Sequence, residues 1–86
     1  MTSLTKIGKH WALVEVERLA VPAPSWKARW ALYADETVAV GATSPSVKGA
    51  AASGSTALFD TEKDALTRAA EDASGSEALL TRRRHG

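Results

Sequence analysis

Along Trp26-Lys27-Ala28-Arg29-Trp30-Ala31-Leu32-Tyr33 the side chains alternate with a period of two. Trp26, Ala28, Trp30 and Leu32 share one parity, and Lys27, Arg29, Ala31 and Tyr33 share the other. Successive side chains of a strand point to opposite faces, so this run predicts a half-buried strand from Ser25 or Trp26 to Ala34. Its even face is bulky and apolar, and its odd face is cationic. His10 to Ala20 predicts a preceding strand, but neither parity there is cleanly apolar: Ala12, Val14 and Val16 oppose Trp11, Leu13, Glu15, Glu17 and Leu19. Pro22 and Pro24 interrupt the connection between the two, because proline lacks the N–H that a central strand donates.

Register resolves the ambiguous parity if the two strands form a hairpin. A pairing that sets Val16 opposite Trp30 and Val14 opposite Leu32 also sets Glu17 opposite Arg29 and Leu13 opposite Tyr33. Slipped by one residue, Glu15 would meet Trp30 and Arg18 would meet Lys27. Cross-strand pairs contribute roughly 0.2–1 kcal/mol each, and a one-residue slip turns a whole face inside out. Even positions are therefore expected to face inward on both strands.

Asp35-Glu36-Thr37 reads as a polar turn into a third strand, Val38 to Ala42, again even inward. Thr43 to Ser55 is small, polar and without period, which predicts a flexible loop or an extension of the sheet edge. Thr56 to Phe59 reads as a short fourth strand. A helix then starts with Thr61 as N-cap and Asp60 as the competing cap, with Glu62 and Asp64 favoured by the positive end of the dipole. Ala65, Leu66, Ala69, Ala70 and Ala73 form an apolar stripe at helical spacing, and Gly75 is a natural residue just past a helix end. The helix is expected over residues 62–73. Ser76 to Thr81 reads as a final short strand in preference to a second helix. Residues 1–8 are expected to be partly frayed, and residues 82–86 to form a basic tail.

The pattern as a whole predicts an α+β domain: an antiparallel sheet of three to five strands in β-β-β-β-α order, with one helix packed on the even face. A helix faced with alanine approaches a sheet closely, so Trp26, Trp30 and Leu32 are expected to supply the volume that close packing needs.

Composition changes little in this picture. The chain is one domain of 86 residues, and 44% hydrophobic content is enough for one core. It has no cysteine, which removes disulfides and thiolate metal sites. Secreted domains this small often need such staples, so a cytoplasmic location is expected. No apolar run approaches the ~20 residues of a membrane span. No apolar segment follows the lysines of the N-terminus, so no signal peptide is expected. The net charge of +1 is unevenly spread. Residues 1–59 carry +2, residues 60–81 carry −4, and Arg82, Arg83 and Arg84 add +3.

Candidate chemistry is sparse. His10 and His85 lie at opposite ends of the chain, with no histidine or cysteine at ligand spacing, so no metal or other cofactor is expected. No serine or threonine nucleophile has a recognisable base partner. Glu15 and Glu17 share a face but are expected to pair with Arg29 and Lys27 rather than to act as a catalytic pair.

The leading expectation is a small non-enzymatic interaction protein that binds another protein or itself through the outer sheet face. Trp11, Leu13, Lys27, Arg29 and Tyr33 would form the contact, since exposed aromatic groups beside arginine favour protein partners. The alternative is nucleic-acid binding, with Lys27, Arg29 and Tyr33 on the sheet and Arg82, Arg83 and Arg84 in the tail tracking and stacking a strand. A near-neutral domain weighs against that alternative. No small-molecule substrate and no membrane partner are inferred. In size and order of elements the chain resembles the small sheet-plus-helix accessory proteins of bacteria and their phages, some of which inhibit host defence.

If Trp30 fills the core, Trp30→Ala should lower stability by about 3–5 kcal/mol in urea unfolding. A change well under that range would place the indole at the surface.

Overall fold

A computed structural model describes residues 2–20, 23–42, 44–45 and 48–85, with side chains described through residue 82. Four strands form one antiparallel sheet in the order β1-β2-β3-β4. They are β1 (Thr2–Ile7), β2 (His10–Leu19), β3 (Ser25–Tyr33) and β4 (Ala52–Ser55). A six-residue helix α1 (Glu36–Gly41) lies between β3 and β4, and the long helix α2 (Glu62–His85) closes the chain. The architecture is therefore α+β, with an antiparallel sheet and a helix packed on one face. Val21 and Pro22 of the expected connection, and Thr43, Ser46 and Val47 of the expected loop, lie outside the described residues.

The even positions of β2 and β3 face α2. Ala12, Val14, Val16, Ala28, Trp30 and Leu32 are buried together with Ala65, Ala69 and Ala73. The register differs from the expected one by two residues: Val14 faces Trp30, Val16 faces Ala28 and Ala12 faces Leu32. A shift of two keeps parity, so the faces are unchanged while every partner changes. The observed register opposes Glu15 to Arg29 and Glu17 to Lys27. It thus makes two opposite-charge pairs where the expected register makes one.

Several elements depart from the sequence pattern. Thr2–Ile7, expected to fray, pairs with β2 along its whole length. The hairpin closes through Gly8 and Lys9, and Gly8 has φ 58°. A two-residue hairpin turn needs positive φ at its first central position, which glycine adopts without steric cost. Val38–Ala42, expected as a strand, instead falls mostly within α1. Asp35 caps that helix by accepting a hydrogen bond from the Thr37 N–H at 2.8 Å. Ala39 alone of α1 is buried, and the flanking valines are exposed.

The last four residues of the expected loop form β4, while Thr56–Phe59, expected as a strand, is held to β3 by Thr56, which exchanges hydrogen bonds with Ala28, and by the isolated Trp26–Phe59 bridge. Gly54 in β4 lies against Trp30: a β-carbon there would come within 2.8 Å of the indole Cζ2. Trp30 Nε1 is buried with no hydrogen-bond partner among the described residues.

Helix α2 begins where expected, with Thr61 Oγ1 accepting from the Asp64 N–H at 3.1 Å. It does not stop at Gly75. Residues 76–81, expected as a strand, and 82–85, expected as a tail, continue the helix. Glycine in a helix interior costs roughly 0.5–1 kcal/mol relative to alanine. Burial of Glu77 and the packing of Leu80 on the core beyond that point outweigh the cost. A β-carbon at Gly75 would meet nothing within 4 Å. Gly75→Ala should accordingly raise stability by about 0.5–1 kcal/mol in urea or thermal unfolding. A loss of stability would show that position 75 does not behave as free helix.

Candidate interaction surface

The residues expected to share the outer face do not form one surface. Leu13 and Tyr33 are only 4% and 1% exposed. With Ala31 and Ala39 they form a second core, flanked by Leu4, Trp11, Ala42 and Ala50. The expectation that Leu13 and Tyr33 are exposed contact residues is therefore corrected: α1 and the chain that follows it cover them. Apolar groups on an open sheet face tend to be covered, and this molecule covers them with its own chain. Trp11 stays half-buried at the margin, with the Lys6 ammonium 5.8 Å from its ring centroid.

The other half of the outer face is open and charged. Arg29 is exposed and bound to Glu15, and Lys27 is half-buried opposite Glu17. The exposed Arg29–Glu15 pair contributes about 0–1 kcal/mol, and with Glu17 set opposite Lys27 the strip carries no net charge of the sign that a nucleic acid would need. Arg82 is exposed near the end of α2, and the side chains of Arg83 and Arg84 lie outside the described residues. Arg82 belongs to a helix on the even face and so does not extend the strip around Lys27 and Arg29.

The structure brings together a different set on the same side of the sheet. Tyr33, Val38, Gly41, Ala42, Ser44, Lys48 and Gly49 line an open cleft between α1 and the segment after it. Val38 is 46% exposed and Val40 is 66% exposed. Sequence reasoning placed both valines inward because Val-Ala-Val alternates like a strand. The signal it passed over is Asp35-Glu36, a capping residue and a first-turn acid of the kind that starts a helix.

The second feature that sequence reasoning missed is a buried ionic cluster. His10 and Glu77 are both buried, and His10 Nδ1 donates to the Glu77 carboxylate. Thr81 Oγ1 donates to Glu77 Oε1 at 2.8 Å, and the Lys9 N–H donates to the same oxygen at 3.3 Å. A side chain at Gly8 would collide with this carboxylate, so the β1–β2 turn closes over it. Burial works to raise the Glu77 pKa. Hydrogen bonds from Thr81, Lys9 and His10, together with the His10 charge, outweigh burial and hold it below its ordinary value of about 4.5. The cluster ties the hairpin to the C-terminal half of α2. Nothing in the spacing of residues 10 and 77 reveals it, because only the fold brings them together.

Among the described residues no group of three or more histidine, cysteine or acidic side chains is placed to hold a metal ion. No helix is long and apolar enough to cross a membrane among those residues. No family model, curated protein or solved structure matches this chain.

Removing one partner of a buried pair leaves the other charged or polar group unsatisfied, so Glu77→Ala should cost about 3–5 kcal/mol in urea unfolding. Unfolded Glu77 takes up a proton at a higher pH than folded Glu77 does. Its contribution is complete above about pH 4.5 and is lost as pH falls through the lower folded value. Stability measured across that window should fall in the wild type and fall less in Glu77→Gln. Parallel profiles for the two proteins would remove Glu77 as the cause.

Proposed function

We propose that this chain is a small non-enzymatic interaction protein that binds a protein partner through α1 and the cleft beside it. The observation that carries this reading is the exposure of Val38 and Val40 on one short helix beside a cleft whose lining includes Tyr33. Single exposed aliphatic residues are ordinary. Here Val38 lines the concavity, and Val40, two residues further on and so on another side of the helix, is exposed next to it; the cleft with Val38 at its border suits an apolar anchor from a partner. This surface lies on the side of the sheet where an interaction surface was expected, but α1 carries it rather than the strands. The buried acid–base pair, His10 and Glu77, supports a non-enzymatic reading, because it is enclosed and engaged in holding α2 to the hairpin. Burial of Tyr33 and pairing of Arg29 leave the nucleic-acid alternative without its stacking group and with a neutralised cation.

The double variant Val38→Ser, Val40→Ser tests the reading. Both side chains are exposed, so the fold should persist, as read by circular dichroism and thermal unfolding. Proteins captured from cell extract by the wild type should be lost by at least tenfold in the variant. Equal capture by the two proteins would reject the α1 surface.

A further inference from the structure

We infer that β1 is a pairing edge for a second copy of this chain, joined about a two-fold axis that passes beside Leu4. The argument starts from which backbone groups of β1 are unused. Trp26 exchanges both backbone hydrogen bonds with Phe59, and the Thr56 N–H donates to Ala28 O at 2.8 Å. Even residues of β3 therefore turn their backbone groups toward β4, and odd ones toward β2. Hydrogen-bonded and non-bonded pairs alternate along each antiparallel ladder. With Glu15 opposite Arg29, odd residues of β2 bond to β3, which leaves its even residues to bond to β1. These are paired with Ile7, Thr5 and Ser3. The two-residue turn gives the same answer, since its closing pair, Ile7 and His10, is hydrogen-bonded in such turns. Thr2, Leu4 and Lys6 consequently point their N–H and C=O groups away from the sheet.

An outward row of backbone donors and acceptors is satisfied by a strand or by water. The common devices that block an added strand are weak here. The run Thr2–Ile7 has no proline and pairs with β2 without a bulge. Its one charge, Lys6, is drawn back over the Trp11 ring. The other edge, β4, is four residues long and includes Gly54, so it offers a poorer template.

The unused groups also select the register. Bonded pairs must join outward residues to outward residues, so Thr2, Leu4 and Lys6 must meet their own kind in the partner. Centring the pairing on Leu4 sets Leu4 against Leu4 and Thr2 against Lys6, and all three residues exchange both of their backbone bonds. Centring it on Lys6 would oppose two ammonium groups, and centring it on Thr5 would leave Thr2 without an outward partner from β1. The Leu4-centred arrangement is self-complementary, as an isologous two-fold interface requires. It joins two four-stranded sheets into one continuous sheet with both copies of α2 on the same face. It also extends the second core, because Leu4 already packs against that cluster.

This inference concerns a surface distinct from α1, so either reading can fail while the other stands. Light scattering coupled to size exclusion, over a concentration series of the full chain, reads the mass directly. The wild type should approach twice the chain mass, and Leu4→Pro should return to the single-chain mass while staying folded. The proline removes an outward N–H and leaves the ladder to β2 in place. Hydrogen exchange gives a readout without any substitution: the Leu4 and Lys6 amides should be protected at high concentration and lose protection on dilution. A wild type that stays at single-chain mass throughout, a Leu4→Pro protein that remains dimeric, or Leu4 and Lys6 amides that exchange freely in the dimer would each overturn the inference. If Leu4→Pro fails to fold, the exchange experiment decides alone.

Discussion

Trp30 and Leu32 press on Ala65, Ala69 and Ala73, and this contact of large on small positions everything else on the even face. Alanine at every fourth position lets α2 lie close to the sheet, and the indole occupies the volume that alanine leaves. The same logic reappears at β4, where Gly54 gives the indole room on its other flank. A bulkier residue at either place would push an element away from the sheet. The indole N–H, which has no hydrogen-bond partner among the described residues, fits a site in which shape complementarity prevails over hydrogen bonding.

The sheet is apolar on both faces over part of its length, and the two faces are closed differently. The even face is covered by a helix that follows all four strands. The odd face is covered near Leu13 and Tyr33 by α1, which is anchored by Ala39. Where the odd face carries Glu15, Glu17, Lys27 and Arg29, it is left open, because charged side chains need no cover. The surface available to a partner is thus set by how the chain disposed of its own apolar groups. The cap over the second core presents Val38 and Val40 outward.

Much of the fold was legible from Trp26–Tyr33 and from the alanine stripe. Period-two alternation fixed β3 and its inward parity, and the Thr61 cap fixed the start of α2. The candidate surface was less legible. Leu13 and Tyr33 have the parity of an outer face, and parity does not reveal whether another segment lies on top. Val38-Ala39-Val40 has an alternation that serves a strand or a single turn of helix equally, and a run so short cannot separate the two. The Asp35 cap tips the balance only once Ala39 has a surface to bury against.

The sequence by itself determined local periodicities and termini: which residues of β2 and β3 share a face, where α2 starts, and that small side chains line it. Only the tertiary structure decided the two-residue choice of register, the covering of Leu13 and Tyr33, and the length of α2 beyond Gly75. Register follows from a sum of cross-strand pairs, of which Glu15–Arg29 and Glu17–Lys27 are two. The extension of α2 follows from Glu77 meeting His10 and the Lys9 N–H, groups nearly seventy residues away in the chain. Interactions between neighbours in sequence are written in the order of residues. Those between distant residues exist only when the chain has already closed, and in this protein they outweigh a glycine that local propensity would use to end the helix.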